Sequence, residues 1–264
     1  MKIVLLTAGL MVCASVHSVA FAGPIDSPGG SKFLYLSTGP GSNPVGGVGD
    51  ISGNATPDFD LATYGFSFTA SGTDDFVADV NLLTSEYADD DPVADFWGVK
   101  IDGAPVGAFS PAGFTTSMYA LVETNGAHTV VIPSFAFSGP PIVGPDGSVF
   151  LSGQTGWFSF MIPGAALSAG LHTLHLFIAD DDDSVVDTAL MVDNLRLVDG
   201  ETVLMLNDFE ADTIGAPPGM GTVSGNAFVA GDDLFVAPIP EPSTLTLAAL
   251  GLFAGIGYAR RHRS

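Results

Sequence analysis

The sequence predicts an all-β protein, a two-sheet antiparallel β-sandwich of jelly-roll-like type, with an N-terminal signal peptide and a single C-terminal transmembrane helix. Three observations carry this prediction. Tyr64, Phe66 and Phe68 alternate with Gly65, Ser67 and Thr69, and Phe158, Phe160 and Ile162 alternate with Trp157, Ser159 and Met161. That period of two buries one face of a strand and wets the other. The 33 glycines and 18 prolines make up about a fifth of the chain, where about 12% is usual, and they cut it into short elements. Between the turns there is no amphipathic helical stretch of any length.

Residues 1–22 carry Lys2, an apolar stretch from Ile3 to Ala14, and then Ala20-Phe21-Ala22 before Gly23. A basic start, a short apolar run and a small-x-small ending read as a signal peptide cleaved after Ala22, with Ala20 and Ala22 as the recognised small residues. An uncleaved anchor helix is the competing reading. Cys13, the only cysteine, leaves with the signal peptide, so the mature chain has no disulfide and no thiol ligand.

Residues 23–200 form the expected sandwich domain. Apolar runs at 33–36, 76–84, 96–101, 129–137, 171–179 and 188–198 join the two alternating segments as strands. Ser138-Gly139-Pro140-Pro141 and Gly144-Pro145-Asp146-Gly147 are turns between them. Pro163 to Gly170 has room for one helical turn. Residues 201–238, with apolar runs at 203–206 and 227–236, either add closing strands or form a stalk. The expected core holds Tyr64, Phe66, Phe68, Phe158, Phe160, Leu174, Leu176 and Leu195.

Charge narrows the function. The formal net charge is −22, and between Gly23 and Ile239 only Lys32, Lys100 and Arg196 stand against 28 acids. Nucleic-acid binding needs clustered Lys and Arg, and so does docking on an anionic membrane through a basic face; both are excluded. With 47% hydrophobic residues and 19 Phe, the body is not disordered.

Residues 239–264 are a separate address. Pro240-Glu241-Pro242 precedes an uncharged apolar stretch, 243–259, and then Arg260, Arg261 and Arg263. As a helix, 17 residues span roughly 25 Å, the lower limit for a bilayer core, and the arginines would stay cytoplasmic. A buried C-terminal helix is the competing reading, against which the Arg cap and proline break argue. This three-part order resembles the PEP-CTERM sorting signal of Gram-negative bacteria. The resemblance implies recognition by an exosortase-type protease, passage through the inner membrane by the helix, and delivery to the cell surface or an exopolysaccharide matrix. Residues 80–103 (VNLLTSEYADDDPVADFWGVKIDG) and 173–198 (TLHLFIADDDDSVVDTALMVDNLRLV) resemble the "choice-of-anchor" surface domains of bacteria, which are β-rich and have no assigned activity.

Of the 29 acids 24 are Asp, short hard-oxygen ligands suited to calcium. One cluster holds Glu86, Asp89, Asp90, Asp91 and Asp95, the other Asp180 to Asp183 with Asp187. A site shared by Glu86, Asp95, Asp183 and Asp187 requires strand pairing to bring 80–95 beside 180–193; otherwise the runs are solvated loops. Asp193, sharing a strand face with Met191 and Leu195, either binds an ion or bonds backbone amides.

Catalysis has little support. His172 and His175, three apart in a strand, face opposite sides and cannot share a metal. Two carboxylates about 5–10 Å apart would serve a glycoside hydrolase, yet so many acids meet that spacing by accident. The expectation is a non-catalytic exported surface or exopolysaccharide-matrix protein. A carbohydrate-binding module is the first alternative, with Trp97 and Trp157 as sugar-stacking platforms that must then be exposed, and a glycoside hydrolase the second.

Overall fold

The computed structural model describes residues 25–39, 58–85, 95–102, 109–110, 119–124, 136–181 and 187–237. The signal peptide, the C-terminal segment and the region 125–135, which holds most of an expected strand, lie outside the described residues. Fourteen strands are present among them: β1 (Lys32–Ser37), β2 (Asp58–Ala70), β3 (Asp75–Thr84), β4 (Phe96–Ile101), β5 (Phe109–Ser110), β6 (Tyr119–Thr124), β7 (Ile142–Val143), β8 (Val149–Phe150), β9 (Phe158–Ile162), β10 (Gly170–Asp181), β11 (Thr188–Asp199), β12 (Thr202–Asn207), β13 (Thr222–Ser224) and β14 (Asn226–Gly231). A single 3-10 turn, Asp232–Leu234, is the one helical element among the described residues. The Pro163–Gly170 segment forms a hydrogen-bonded turn, with Ala166 and Leu167 amides donating to the Pro163 carbonyl at 2.8 and 3.2 Å.

Twelve of the strands make two six-stranded sheets, and β7 and β8 pair with each other. Sheet A runs β14-β1-β11-β3-β9, with β12 also paired to β11; sheet B runs β13-β2-β10-β4-β6-β5. The pairings are antiparallel except β4 with β6, which is parallel, so the expectation of purely antiparallel sheets fails at that pair. The chain changes between these sheets from β1 to β2, β2 to β3, β3 to β4, β9 to β10, β10 to β11, β12 to β13 and β13 to β14. Residues 202–231 add β12 and β14 to sheet A and β13 to sheet B.

One apolar cluster lies between the sheets, giving the all-β fold its sandwich-like form. Sheet A sends in Leu34 and Leu36, Phe76 to Leu82 at alternate positions, Phe160, and Leu190 and Val192. Sheet B answers with Tyr64, Phe66 and Phe68, Trp97, Val99 and Ile101, and Leu174, Leu176 and Ile178. Phe68 stacks on Phe76 across the gap with centroids 5.0 Å apart. Leu195 belongs to this cluster, and Phe158 packs against it partly buried.

A second cluster covers the other face of sheet A. Phe33, Tyr35, Leu83, Ala189, Met191 and Ala230 lie under Ile25, Ile142, Phe150 and Phe235, with Trp157 at the margin. The β7–β8 hairpin supplies Ile142 and Phe150, its turn closed by the Gly147 amide donating to the Gly144 carbonyl at 3.1 Å. Strands buried on both faces read as continuous apolar runs rather than alternating ones. That is why KFLYLS of β1 is buried from Phe33 to Ser37.

Candidate functional site

The strand ends that flank the two acidic segments lie side by side. β3 ends at Thr84 opposite Thr188, where β11 begins, and β4 begins at Phe96 opposite Ala179 near the end of β10. The flanks of 86–94 and of 182–186 are therefore neighbours in both sheets. Of the tentative calcium ligands, Glu86 and Asp183 lie outside the described residues, while Asp95 and Asp187 are buried at the flanking strand ends. The Asp187 carboxylate accepts the Val149 amide at 2.9 Å, which ties the cover hairpin to sheet A. Among the described residues no group of three or more His, Cys, Asp or Glu is arranged to hold a metal ion.

Asp193 is fully buried, and its contacts are protein donors. One oxygen accepts the Ser27 hydroxyl and the Gly29 amide, the latter at 2.9 Å, and the other accepts the Asn194 amide at 2.7 Å. Burial pushes its carboxyl up from the usual range; those three hydrogen bonds oppose the rise. The sequence placed Asp193 on one face with Met191 and Leu195, and the structure corrects this. The β11–β3 register slips between Asp193 and Arg196, and Asn194 takes φ 49°. One extra residue on the bulged strand flips everything after it. Met191 stays under the cover of sheet A, whereas Leu195 turns into the core between the sheets.

Asn194 and Arg196 then converge on Asp79 of β3. Arg196 donates to both Asp79 oxygens, at 2.8 and 3.1 Å, and the Asn194 amide group adds a bond at 3.0 Å. Ser159 of β9 donates to the same carboxylate. The Ser27 amide is held by Asp232, whose carboxyl is pushed up to about 6 by burial and by Asp26, Asp193 and Glu210 nearby. These groups bind the segment 25–31 across the bulge.

A second polar lock passed unnoticed in the sequence. His172 is buried at the start of β10, with Nδ1 on the Asp102 carboxylate and Nε2 2.8 Å from the Ser168 carbonyl. Asp102, at φ 48° just past β4, also accepts the Thr173 amide at 2.7 Å. Both ring nitrogens face acceptors, which an imidazolium satisfies and a neutral ring cannot. Burial alone would lower the His172 pKa, but the Ser168 carbonyl and the Asp102 carboxylate together raise it. The Asp102-Gly103 turn signal was the available hint; its partner lies 70 residues away. His175 faces the opposite side, exposed, with its pKa lowered by burial of the ring edge and by Lys100.

The positions of the two tryptophans bear on the sugar-binding alternative. Trp97 is fully buried between the sheets, edge-on to Phe158 at 6.2 Å, and has no face left for a sugar. Its position in β4 is set by alternation with Phe96 and Gly98, which point the other way. Trp157 is partly buried and meets Phe33 edge-on at 5.6 Å. Signal-cleavage residues Ala20 and Ala22 lie outside the described residues, as do Pro240, Glu241, Pro242, Arg260, Arg261 and Arg263. No helix among the described residues is long and apolar enough to cross a membrane, and the segment 243–259 was not among them.

The chain matches no curated protein and no solved structure. A family model does match its end. Residues 238–263 carry the PEP-CTERM protein-sorting motif, which marks the chain for export and for processing by exosortase-type sorting machinery.

Proposed function

We propose that this is a non-catalytic surface or exopolysaccharide-matrix protein: an acidic β body delivered by its tail, with the tail holding it in the inner membrane through 243–259 until processing. The observation that carries this reading is the sorting motif at 238–263. The polar groups of the body support it as well. Asp79, Asp102, Asp193 and His172 are each engaged in joining strands or loops to one another. A structural role accounts for them without a substrate.

The body belongs, on this proposal, with the "choice-of-anchor" domains, and its sandwich is of jelly-roll type. The two segments that carry the resemblance are paired through Thr84 with Thr188 and Phe96 with Ala179, which supports treating them as one unit. The same pairing supports a calcium site drawn from Glu86, Asp95, Asp183 and Asp187. The sugar-binding alternative keeps only Trp157, since Trp97 is enclosed.

The test is fractionation of the exporting cell with intact protein and with residues 238–264 deleted. The intact protein is expected at the surface or in the matrix, lacking its C-terminal arginines by mass spectrometry, and the deletion variant is expected to be lost from that fraction. An unchanged distribution, or a released form still ending in Arg263 and its neighbours, overturns the sorting. New reducing ends from a matrix polysaccharide incubated with pure protein would overturn the non-catalytic part.

A further inference from the structure

The sheet edges of this body are treated unequally. β14 is covered by the loop after β12: the Gly215 amide donates to the Val229 carbonyl at 2.8 Å, and the Val229 amide to the Ala216 carbonyl at 2.9 Å. β13 and β5 are short, and among the described residues they cover only Thr63, Tyr64 and Gly65 of β2 and Ala120 and Leu121 of β6. β9, the remaining edge of sheet A, has five residues and stops at Pro163. β12 differs from these in exposing three consecutive apolar side chains. It has six residues, TVLMLN, with no charge, no proline and no bulge within 202–205, and among the described residues it pairs with β11 alone.

Its apolar side chains are also out. Val203 is 56% exposed, Leu204 58% and Met205 43%. Consecutive strand residues point to opposite faces, so no single flat partner covers all three. A strand continuing the sheet does. β12 joins β11 through the two-residue turn Gly200-Glu201, with Gly200 at φ 57°, and the closing pair of such a hairpin is Asp199 with Thr202. Closing pairs exchange both hydrogen bonds, and alternation then leaves the N–H and C=O groups of Val203 and Met205 pointing away from β11.

We propose that β12 is a self-association edge, which a second copy of this chain occupies antiparallel about a two-fold axis at Leu204. The strand is complementary to itself in that register. Val203 of each copy pairs with Met205 of the other through both outward groups, giving four backbone hydrogen bonds, and the two Leu204 side chains form the close, non-hydrogen-bonded pair. Leu204 also lines a slot of about 300 Å³ together with Ala70 and Leu197. The paired leucines fill its mouth. The acids flanking the strand, Asp199 and Glu201 before it and Asp208 after it, repel a second copy at long range, so salt strengthens the contact. A six-residue edge belongs with interfaces under about 1,200 Å², which are weak and depend on concentration. Copies gathered on one surface would meet that condition.

The experiment uses the protein as isolated from the exporting cell. Sedimentation equilibrium is expected to show the mass rising from one copy toward two with concentration, more steeply at 0.5 M than at 0.05 M salt, both taken as about the range over which screening changes most. Met205→Lys and Leu204→Lys, at exposed positions, should leave the melting curve unchanged and weaken association at least about tenfold. Geometry is tested by cysteine. With Cys13 gone from the exported protein, Leu204→Cys should form a disulfide dimer on mild oxidation, whereas Leu171→Cys, on an exposed residue of sheet B, should not. A monomer throughout, association indifferent to both lysine variants, cross-linking equal at 171 and 204, or a complex formed only with an unrelated chain each overturns the proposal.

Discussion

Two glycines show how single residues set this surface. Each faces an aromatic ring carried by β10. A Cβ on Gly98 would lie 2.1 Å from the Phe177 ring, and one on Gly65 would lie 2.7 Å from the His175 ring. The ring occupies the place of the missing side chain. Phe177 is itself buried with Phe96 and has nowhere to go, while His175 is exposed and free to swing. Gly98→Ala is therefore expected to cost about 1–3 kcal/mol by overpacking, and Gly65→Ala less, as read from denaturant melts. Titration of single groups gives a second expectation. His172 is raised in the folded state, so its contribution is full below the ordinary histidine value and is lost as pH rises through the raised one. Asp232 is raised to about 6, so its contribution is full below the ordinary carboxylate range and lost as pH rises through about 6. Both predict a melting temperature that falls from about pH 5 to pH 8. Asp232→Asn should flatten the lower part of that fall and His172→Gln the upper part. A melting temperature that rises across the window would contradict both assignments.

At the scale of strands, most of the fold was legible because period two and turn residues are local signals. Phe96–Ile101 was read with the bounds that the strand has, and Phe76–Thr84 and Thr188–Val198 each within one residue. What stayed hidden depends on residues far apart. The cover over sheet A needs Ile25, Ile142 and Phe235 to converge, and no local pattern announces it. The Asp102–His172 lock spans β4 and β10. The bulge in β11 was hidden for a different reason: Asp193-Asn194 looks like ordinary alternation until Asn194 adopts its left-handed φ. Asn tolerates that conformation and a β-branched residue does not. Asn194→Val is expected to cost about 1–3 kcal/mol, whereas Asn194→Gly should keep the bulge and lose only the bond to Asp79. The strand ends also frame the calcium proposal. A chelator should lower the melting temperature, and Asp187→Asn should abolish that response. At a hundredfold excess over Kd, calcium would add about 2.7 kcal/mol. Equal shifts in calcium and in sodium at matched ionic strength would reduce the acidic segments to screened surface charge.

At the scale of the whole body, its first and last described residues meet. Ile25 and Phe235 lie together in the cover of sheet A, and Val236 pairs with Val143 at the same face. The first and last described residues therefore lie on one side of the body, the last just ahead of the sorting motif, and sheet B turns its outer face the other way. That division was not legible in the sequence, because it depends on where β1 and β14 sit rather than on what they contain. β1 pairs with β14 from Lys32 with Gly231 to Ser37 with Asn226, and with β11 on its other edge. The first strand to cross a membrane must wait for the eleventh and the last before its hydrogen bonds can close. Contacts so distant in sequence make folding slow. The chain would thus remain a loose thread through nearly all of its translocation, still able to be drawn through a narrow channel. It would become a finished body only when the residues just ahead of the tail emerge.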